Sequence, residues 1–273
     1  MNAIITIVLA EFQRSIRNRW ASASVILLAS LAFSLVALGS APIGDSRASL
    51  MSITTVSLSS LSLYLIPLVA LTISFDAIVG EQEQGTLLLL LTYPISRWQI
   101  ILGKFLGHLV VLMLAIVLGY GSAGIYLASL ESSALNDWVS YGQMMGSSLL
   151  LGAVFISIGC LISLLSKVRA SAIGAAVGVW LFLLVLYDLI LLGLIMADNE
   201  QQLLPAIFDV LVLLNPADAY RLYNLAGSEA ASMVSGVTTM ANSFDPNGLL
   251  GLMCAWIALL LSTAIYLFSR KEL

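Results

Sequence analysis

Six long apolar runs constrain the fold of this chain more than any other feature of its sequence. A helix needs roughly 20 apolar residues to cross a hydrocarbon core about 30 Å thick. Backbone groups in lipid must be hydrogen-bonded within the chain, and the runs lack the alternation of barrel strands, so they predict helices. The expected transmembrane helices cover residues 20–38, 51–75, 100–130, 142–166, 170–197 and 248–269. With 60 % hydrophobic and 10 % charged residues, the chain is predicted to be an all-α membrane protein, a single transmembrane domain over residues 1–273.

The basic residues predict the orientation in the membrane. With six spans, only Arg47 and Arg221 fall on the side opposite the termini. Because Lys and Arg concentrate in cytoplasmic loops, we expect both termini to be cytoplasmic, in a bacterial inner membrane. The nine basic residues expected on that side are Arg14, Arg17, Arg19, Arg97, Lys104, Lys167, Arg169, Arg270 and Lys271. The formal charge of −4 gives no indication of a nucleic-acid partner.

Residues 1–19 are amphipathic at helical spacing. This pattern predicts an elbow helix that lies in the cytoplasmic interface of the membrane. The alternative is a charged leader that only sets the topology. One face would carry Ile5, Val8, Phe12 and Ile16, and the other Glu11, Arg14 and Arg17.

A short polar stretch, residues 76–99, separates the second and third spans on the cytoplasmic side. Two of its acids, Glu81 and Glu83, could be no more than a solvated helix end. The tight turn Lys167–Arg169 is expected on the same side, within reach of any partner that touches the helix ends. The residues after the acids predict a short helix across the membrane surface, with Gly85 and Pro94 ending helices and Thr86 and Ser96 beginning them.

The longest stretch outside the spans, residues 198–247, is expected on the periplasmic side. Leu203–Leu214 is apolar but too short to cross, and it stops at Asn215–Pro216, so a re-entrant or interfacial helix is predicted. The polar residues that follow are a candidate docking surface for an external partner. The candidate docking residues are Asn215, Pro216, Asp218, Tyr220 and Arg221.

Asp188 stands among Leu and Val in the fifth span, where an acid is a functional hypothesis by default. A structural role is equally open at this stage. If Asp188 acted on a substrate, the chain could be a secondary transporter. Secondary transporters usually show several intramembrane charges and repeated broken helices, so a single intramembrane acid is weak support for that class.

Several chemistries are disfavoured by spacing. The one histidine, His108, lies fourteen residues before Ser122 on one span, about 21 Å along a helix, too far for a catalytic pair. No phosphate-binding G-x-x-x-x-G-K-[ST] loop occurs, so any ATP must be hydrolysed elsewhere. Two cysteines in different spans and scattered methionines form no metal motif. We expect no catalytic residue and no metal site.

Three pairs of glycines have the G-x-x-x-G spacing that lets helix backbones approach each other. We expect them to pack helices within the chain first, and to form a seam between two copies second. The pairs are Gly103 and Gly107, Gly142 and Gly146, and Gly174 and Gly178.

The polar stretch resembles the signature of the type-2 ABC transporter permeases. In that family E-x-E-x-G-T-L precedes P-[IV]-S-R and then G-K at the head of the next helix. The resemblance implies a coupling helix at residues 81–94 seated in a separate ATPase that binds the ATP and Mg²⁺, and a permease that works as a homodimer. The matching residues are Glu81, Glu83, Gly85, Thr86, Leu87, Pro94, Ile95, Ser96, Arg97, Gly103 and Lys104.

More narrowly, the whole sequence is similar to the membrane subunits of transporters that mature nitrous oxide reductase. This likeness implies a cytoplasmic ABC ATPase partner, a periplasmic β-helix partner and a role in assembling the copper sites of the reductase. The cargo stays open among copper, a sulfur species and mechanical force alone.

Overall fold

The computed structural model describes residues 3–39, 49–130, 135–197, 210–226 and 245–271, and every element of regular structure in these ranges is helical. A π-helical turn, Phe182–Leu186, lies between the helices Arg169–Leu181 and Tyr187–Ala197, and residues 210–214 are also helical. The helices are α1 (Ala3–Arg17), α2 (Arg19–Gly39), α3 (Leu50–Ser74), α4 (Val79–Glu83), α5 (Thr86–Thr92), α6 (Arg97–Leu130), α7 (Leu135–Leu165), α8 (Arg169–Leu181), α9 (Tyr187–Ala197), α10 (Pro216–Ala226) and α11 (Pro246–Arg270).

Five helical stretches are long and apolar enough to cross a membrane. A sixth crossing is available if α1 and α2, which bend by 72° between Ala3–Arg17 and Ser22–Ala37, are taken as one broken span. The all-helical prediction is therefore confirmed, with five to six crossings. The five stretches are Leu50–Glu83, Arg97–Leu130, Leu135–Leu165, Arg169–Leu194 and Pro246–Arg270.

The centre of the bundle is built on α3 and α7, which approach closely because small residues face each other. A Cβ atom added at Gly159 would lie 1.9 Å from Ser74 Oγ, so only glycine fits there. The serines and threonines of α3 donate their hydroxyls to backbone carbonyls one turn earlier, as Thr54 does to Leu50 at 2.7 Å. These bonds satisfy polar groups that would otherwise be costly in an apolar bundle.

The N-terminal helix α1 packs along the first turns of α6. A Cβ atom at Gly103 would lie 2.7 Å from Ile7 Cγ2, and one at Gly107 would lie 2.6 Å from Glu11 Cβ. This glycine pair therefore packs helices within the chain, as predicted. It also brings Glu11 beside the head of α6.

For the other two glycine pairs, the described part of the chain does not show the predicted packing. Among the residues in the described ranges, no atom lies within 4 Å of a Cβ added at Gly142, Gly146, Gly174 or Gly178. The spacing alone could not show which glycine pairs pack within the chain. It places both glycines on one face of a helix, but it does not show what lies against that face.

We predict that Gly107→Leu destabilises the chain by about 1–3 kcal/mol, because the added side chain overpacks the seam between α1 and α6. Thermal unfolding in mild detergent measures the effect. Gly146→Leu is the matched control, since it makes the same change where space is open. Equal unfolding midpoints for the two variants would contradict the packing of α1 on α6.

Candidate functional site

The polar stretch between α3 and α6 folds as two short helices around a left-handed glycine. Gly85 has φ +70°, a conformation that other L residues adopt only with strain. Gly85 thus separates α4 from α5, as predicted. Thr86 was expected to cap α5 and does not: Gly85 holds the N-cap position, and Thr86 is the first helical residue, its hydroxyl donating to Glu81 O at 3.3 Å.

Glu81 lies inside the chain, where it meets two cations. Lys104 Nζ, 1 % exposed, donates to Glu81 Oε1 at 2.8 Å and also to Glu11 Oε1. Arg14 Nη1 donates to the same oxygen of Glu81 at 2.8 Å and lies 3.4 Å from Glu11 Oε1. We call these four residues the Lys104 cluster. Glu81 is only 8 % exposed, so it is not the solvated helix end that the sequence left open.

Glu83 is held by the start of α8. Its Oε1 accepts a hydrogen bond from the backbone N–H of Arg169 at 2.7 Å, so a carboxylate sits at a helix N-terminus, where the helix dipole favours it. The Arg169 guanidinium lies 3.6 Å from Glu83 and 2.7 Å from Asp76. Arg169, predicted to face a partner, is thus tied to two acids of its own chain.

The C-terminal end of α11 is bound to the same region. Lys271 Nζ donates to Gln82 Oε1 and to Leu164 O, each at 2.9 Å. Arg97 Nη1 donates to the carbonyls of Phe268 and Lys271 at 2.7 and 2.9 Å, which satisfies groups left open at the end of α11. Both ends of the described chain therefore meet residues 76–99 at one end of the bundle.

The exposed face of α5 is apolar. Leu87 is buried at 1 % exposure, whereas Leu88, Leu89 and Tyr93 are 56, 65 and 63 % exposed. Sequence reasoning chose Leu87 and missed these three. The available signal was the run of five leucines in α5, because a helix of seven residues is too short to cross a membrane and cannot cover leucines on every side.

Asp188 is paired at the opposite end of the bundle. Arg221 reaches Asp188 Oδ2 at 2.7 Å through Nη2 and Asp218 Oδ1 at 3.0 Å through Nη1. Asn215 donates to Asp218 Oδ2 and to the carbonyl of Leu183 in the π-helical turn, both at 2.9 Å. Burial raises the pKa of Asp218 to about 6, with Arg221 acting in the opposite direction. We call Asp188, Asn215, Asp218 and Arg221 the Arg221 cluster.

The predicted docking residues near Asn215 do not form an open surface. Asn215, Asp218 and Tyr220 are 1, 4 and 1 % exposed, and Pro216 is also buried. Spacing could not predict this, because the covering groups come from α3, α7 and the π-helical turn. The remaining residues of the predicted segment, 198–209 and 227–244, lie outside the described part of the chain.

Helix α7 connects the two ends. Ser163 Oγ accepts hydrogen bonds from the N–H groups of Ile78 and Val79 at 2.9 and 3.0 Å. Fifteen residues earlier, about 22 Å along the helix, Ser148 shares a 2.9 Å hydrogen bond with the hydroxyl of Tyr220 in α10. One helix therefore contacts both the polar stretch and α10.

The described residues hold few groups suited to chemistry. His108 is buried one turn beyond Lys104. Among the residues that the structure places, no three His, Cys, Asp or Glu side chains stand together as a metal site would require. The ion pairs and hydrogen bonds of these residues hold helices together.

The sequence from residue 5 to residue 273 matches the family described as ABC-2 family transporter protein, and the chain belongs to that family. It is the permease component of an ABC transporter and a multi-pass membrane protein. The chain is 40 % identical to the Probable ABC transporter permease protein NosY of Pseudomonas aeruginosa over the full length of both. It is also 40 % identical to the protein of the same name from Stutzerimonas stutzeri, with 99 % of each chain covered.

We predict that Lys104→Met destabilises the chain by about 3 kcal/mol, because it leaves Glu11 and Glu81 buried with too little positive charge. Adding Glu11→Gln and Glu81→Gln should restore most of the loss. Thermal unfolding in mild detergent measures both effects. The control is Lys167→Met, at an exposed position with an expected change within about 0.5 kcal/mol. A Lys104→Met variant as stable as this control would contradict the ion-pair cluster.

Proposed function

We propose that this permease receives the motion of a separate cytoplasmic ABC ATPase through residues 76–99 and transmits it to its membrane helices. The observation that carries the proposal is the anchoring of three consecutive residues. Glu81 is bound to α1 and α6, Gln82 to the residue after α11, and Glu83 to α8. A displacement of α4 therefore acts on four helices at once.

The ATPase contact is best assigned to the exposed face of α5. Leu88, Leu89 and Tyr93 form an apolar patch beside the ends of several spans, and exposed apolar patches of this kind mark interaction sites. The resemblance to the type-2 permeases implies a groove of the ATPase as the occupant. Gly85, Thr86 and Pro94 are exposed around the patch and complete the proposed contact.

The proposal fixes an orientation. The end of the bundle that carries the Lys104 cluster is cytoplasmic, in accord with its basic residues, and α1 is the elbow helix in the interface of the inner membrane. ATP and Mg²⁺ are bound by the partner, and this chain binds no cofactor. Two copies form the working unit, and the open glycine pair on α8, Gly174 and Gly178, offers a seam for them.

At the periplasmic end, the moving part is α10. Its bonds to α3, α7 and the π-helical turn would pass a displacement to residues 198–209 and 227–244, which we assign as the contact for a periplasmic β-helix protein. On the likeness to the nitrous oxide reductase maturation transporters, we assign the work to copper-site assembly. The methionines, which are soft ligands suited to copper, are scattered along the sequence, and this favours force over metal as what the subunit passes on.

Secondary transport through Asp188 is the weaker candidate. A transport site needs an acid that can exchange its proton or bind a cation, whereas Asp188 is bound by Arg221 at 2.7 Å. The pairing makes a structural role for Asp188 the better interpretation.

The test is co-purification of the tagged chain from native membranes in mild detergent. The unmodified chain should recover an ABC ATPase. Leu89→Asp should reduce that recovery at least about tenfold, because burying a leucine contributes about 1.5–3 kcal/mol and the new carboxylate would have to be desolvated. Leu89→Met is the matched control and should keep the ATPase.

Two outcomes would contradict the proposal at different points. Full recovery of the ATPase with Leu89→Asp would show that α5 is not the contact. A stable unmodified chain that recovers no ATPase would overturn the proposed function itself and return Asp188 to consideration.

A further inference from the structure

A polar cavity of about 740 Å³ lies between α1, the turn after α3 and the start of α8. Three arginines line it, Arg14, Arg17 and Arg169, against one acid, Asp76. It is separate from the α5 patch and the Arg221 cluster, and it adjoins the Lys104 cluster, with which it shares Arg14.

The charge of the cavity favours an anion. Arg14 and Arg169 already contact acids of the chain, yet their side chains remain 48 and 39 % exposed. Arg17 has no hydrogen-bond or ion-pair partner among the residues that the structure describes. A guanidinium can bind a phosphate through two parallel hydrogen bonds, so the cavity is suited to a phosphate group.

An apolar groove of about 250 Å³ continues from this cavity between α3 and α8. Leu68, Leu71, Ile173 and Val177 are among its lining residues. Phe75 and Ile173 line both the groove and the polar cavity, so the two are contiguous. A cationic cavity that opens onto an apolar groove beside membrane-spanning helices has the chemistry of a phospholipid site, with the headgroup in one part and an acyl chain in the other.

We propose that this site binds one anionic phospholipid, with its phosphate at Arg17 between Arg14 and Arg169 and an acyl chain along α3 and α8. The lipid would join α1 to α8 directly, beside the polar stretch whose acids bind Arg14 and Arg169. The site requires only that α3 and α8 span the membrane, so it is independent of the proposed ATPase contact.

Two other occupants are less suited to these observations. A soluble phosphate would use the arginines and leave the apolar groove uncovered. A second copy of the chain could cover α8, but Gly174 and Gly178 lie about 100° around the helix from Ile173 and Val177. A seam on the glycine face would leave the groove free for lipid.

The test uses the purified full-length chain without any ATPase, titrated with phosphatidylglycerol or phosphatidylcholine and read by native mass spectrometry. One phosphatidylglycerol per chain should bind more tightly than phosphatidylcholine. Arg17→Gln should weaken phosphatidylglycerol binding about fivefold, the effect of one basic side chain near an anionic lipid. Arg270→Gln is the matched control, because that arginine lies over the ring of Tyr266 at the end of α11.

The groove is tested by Val177→Trp, at a half-exposed position where the larger ring fits without unfolding the bundle. This variant should also weaken phosphatidylglycerol binding while keeping the thermal midpoint of the lipid-free chain. The proposal is overturned if the two lipids bind equally, if Arg17→Gln behaves like Arg270→Gln, or if inorganic phosphate displaces the lipid. It is also overturned if Val177→Trp separates two copies of the chain and leaves lipid binding unchanged.

Discussion

The structure depends on the burial of one positive charge. Lys104 lies inside the bundle, and an ammonium group in such a place must be paired because its desolvation is costly. Its partners come from α1 and from α4, so the charge fixes where both lie against α6. Gly107 serves the same end by letting α1 approach closely enough for Glu11 to reach the amine. Electrostatics and close packing thus specify one arrangement of three helices.

A polar stretch held in this way can pass force to the other end of the bundle only if packed helices connect the two ends. Helices α3 and α7 provide that continuity, because they pack without intervening side chains at Gly159 and bind both the turn after α3 and α10. The Arg221 cluster then joins α10 to α9. Each end of the bundle is therefore held by ion pairs, and the apolar middle lies between them.

The sequence predicted the helices and the position of the site better than the roles of its residues. Apolar length is a strong signal for helices in a membrane protein, and Glu81, Glu83 and Gly85 fall within one short polar window. Spacing could not show that Glu81 meets Lys104, or that Asn215 meets the carbonyl of Leu183, since these pairs join distant parts of the chain. Glu81 and Asn215 therefore proved to be buried anchors, and the exposed face of α5 carries Leu88, Leu89 and Tyr93.

The most direct measurement of the central claim is a distance measured by pulsed electron paramagnetic resonance in the ATPase-bound complex. Spin labels at Thr92 in α5 and Ala226 in α10, in a chain with Cys254→Ser, report on both ends of the bundle. We expect ATP with vanadate to change the distance in this chain, and we expect Glu81→Gln with Glu83→Gln to abolish the change while the ATPase stays bound. An unchanged response in the doubly substituted chain would show that motion does not pass through these anchors.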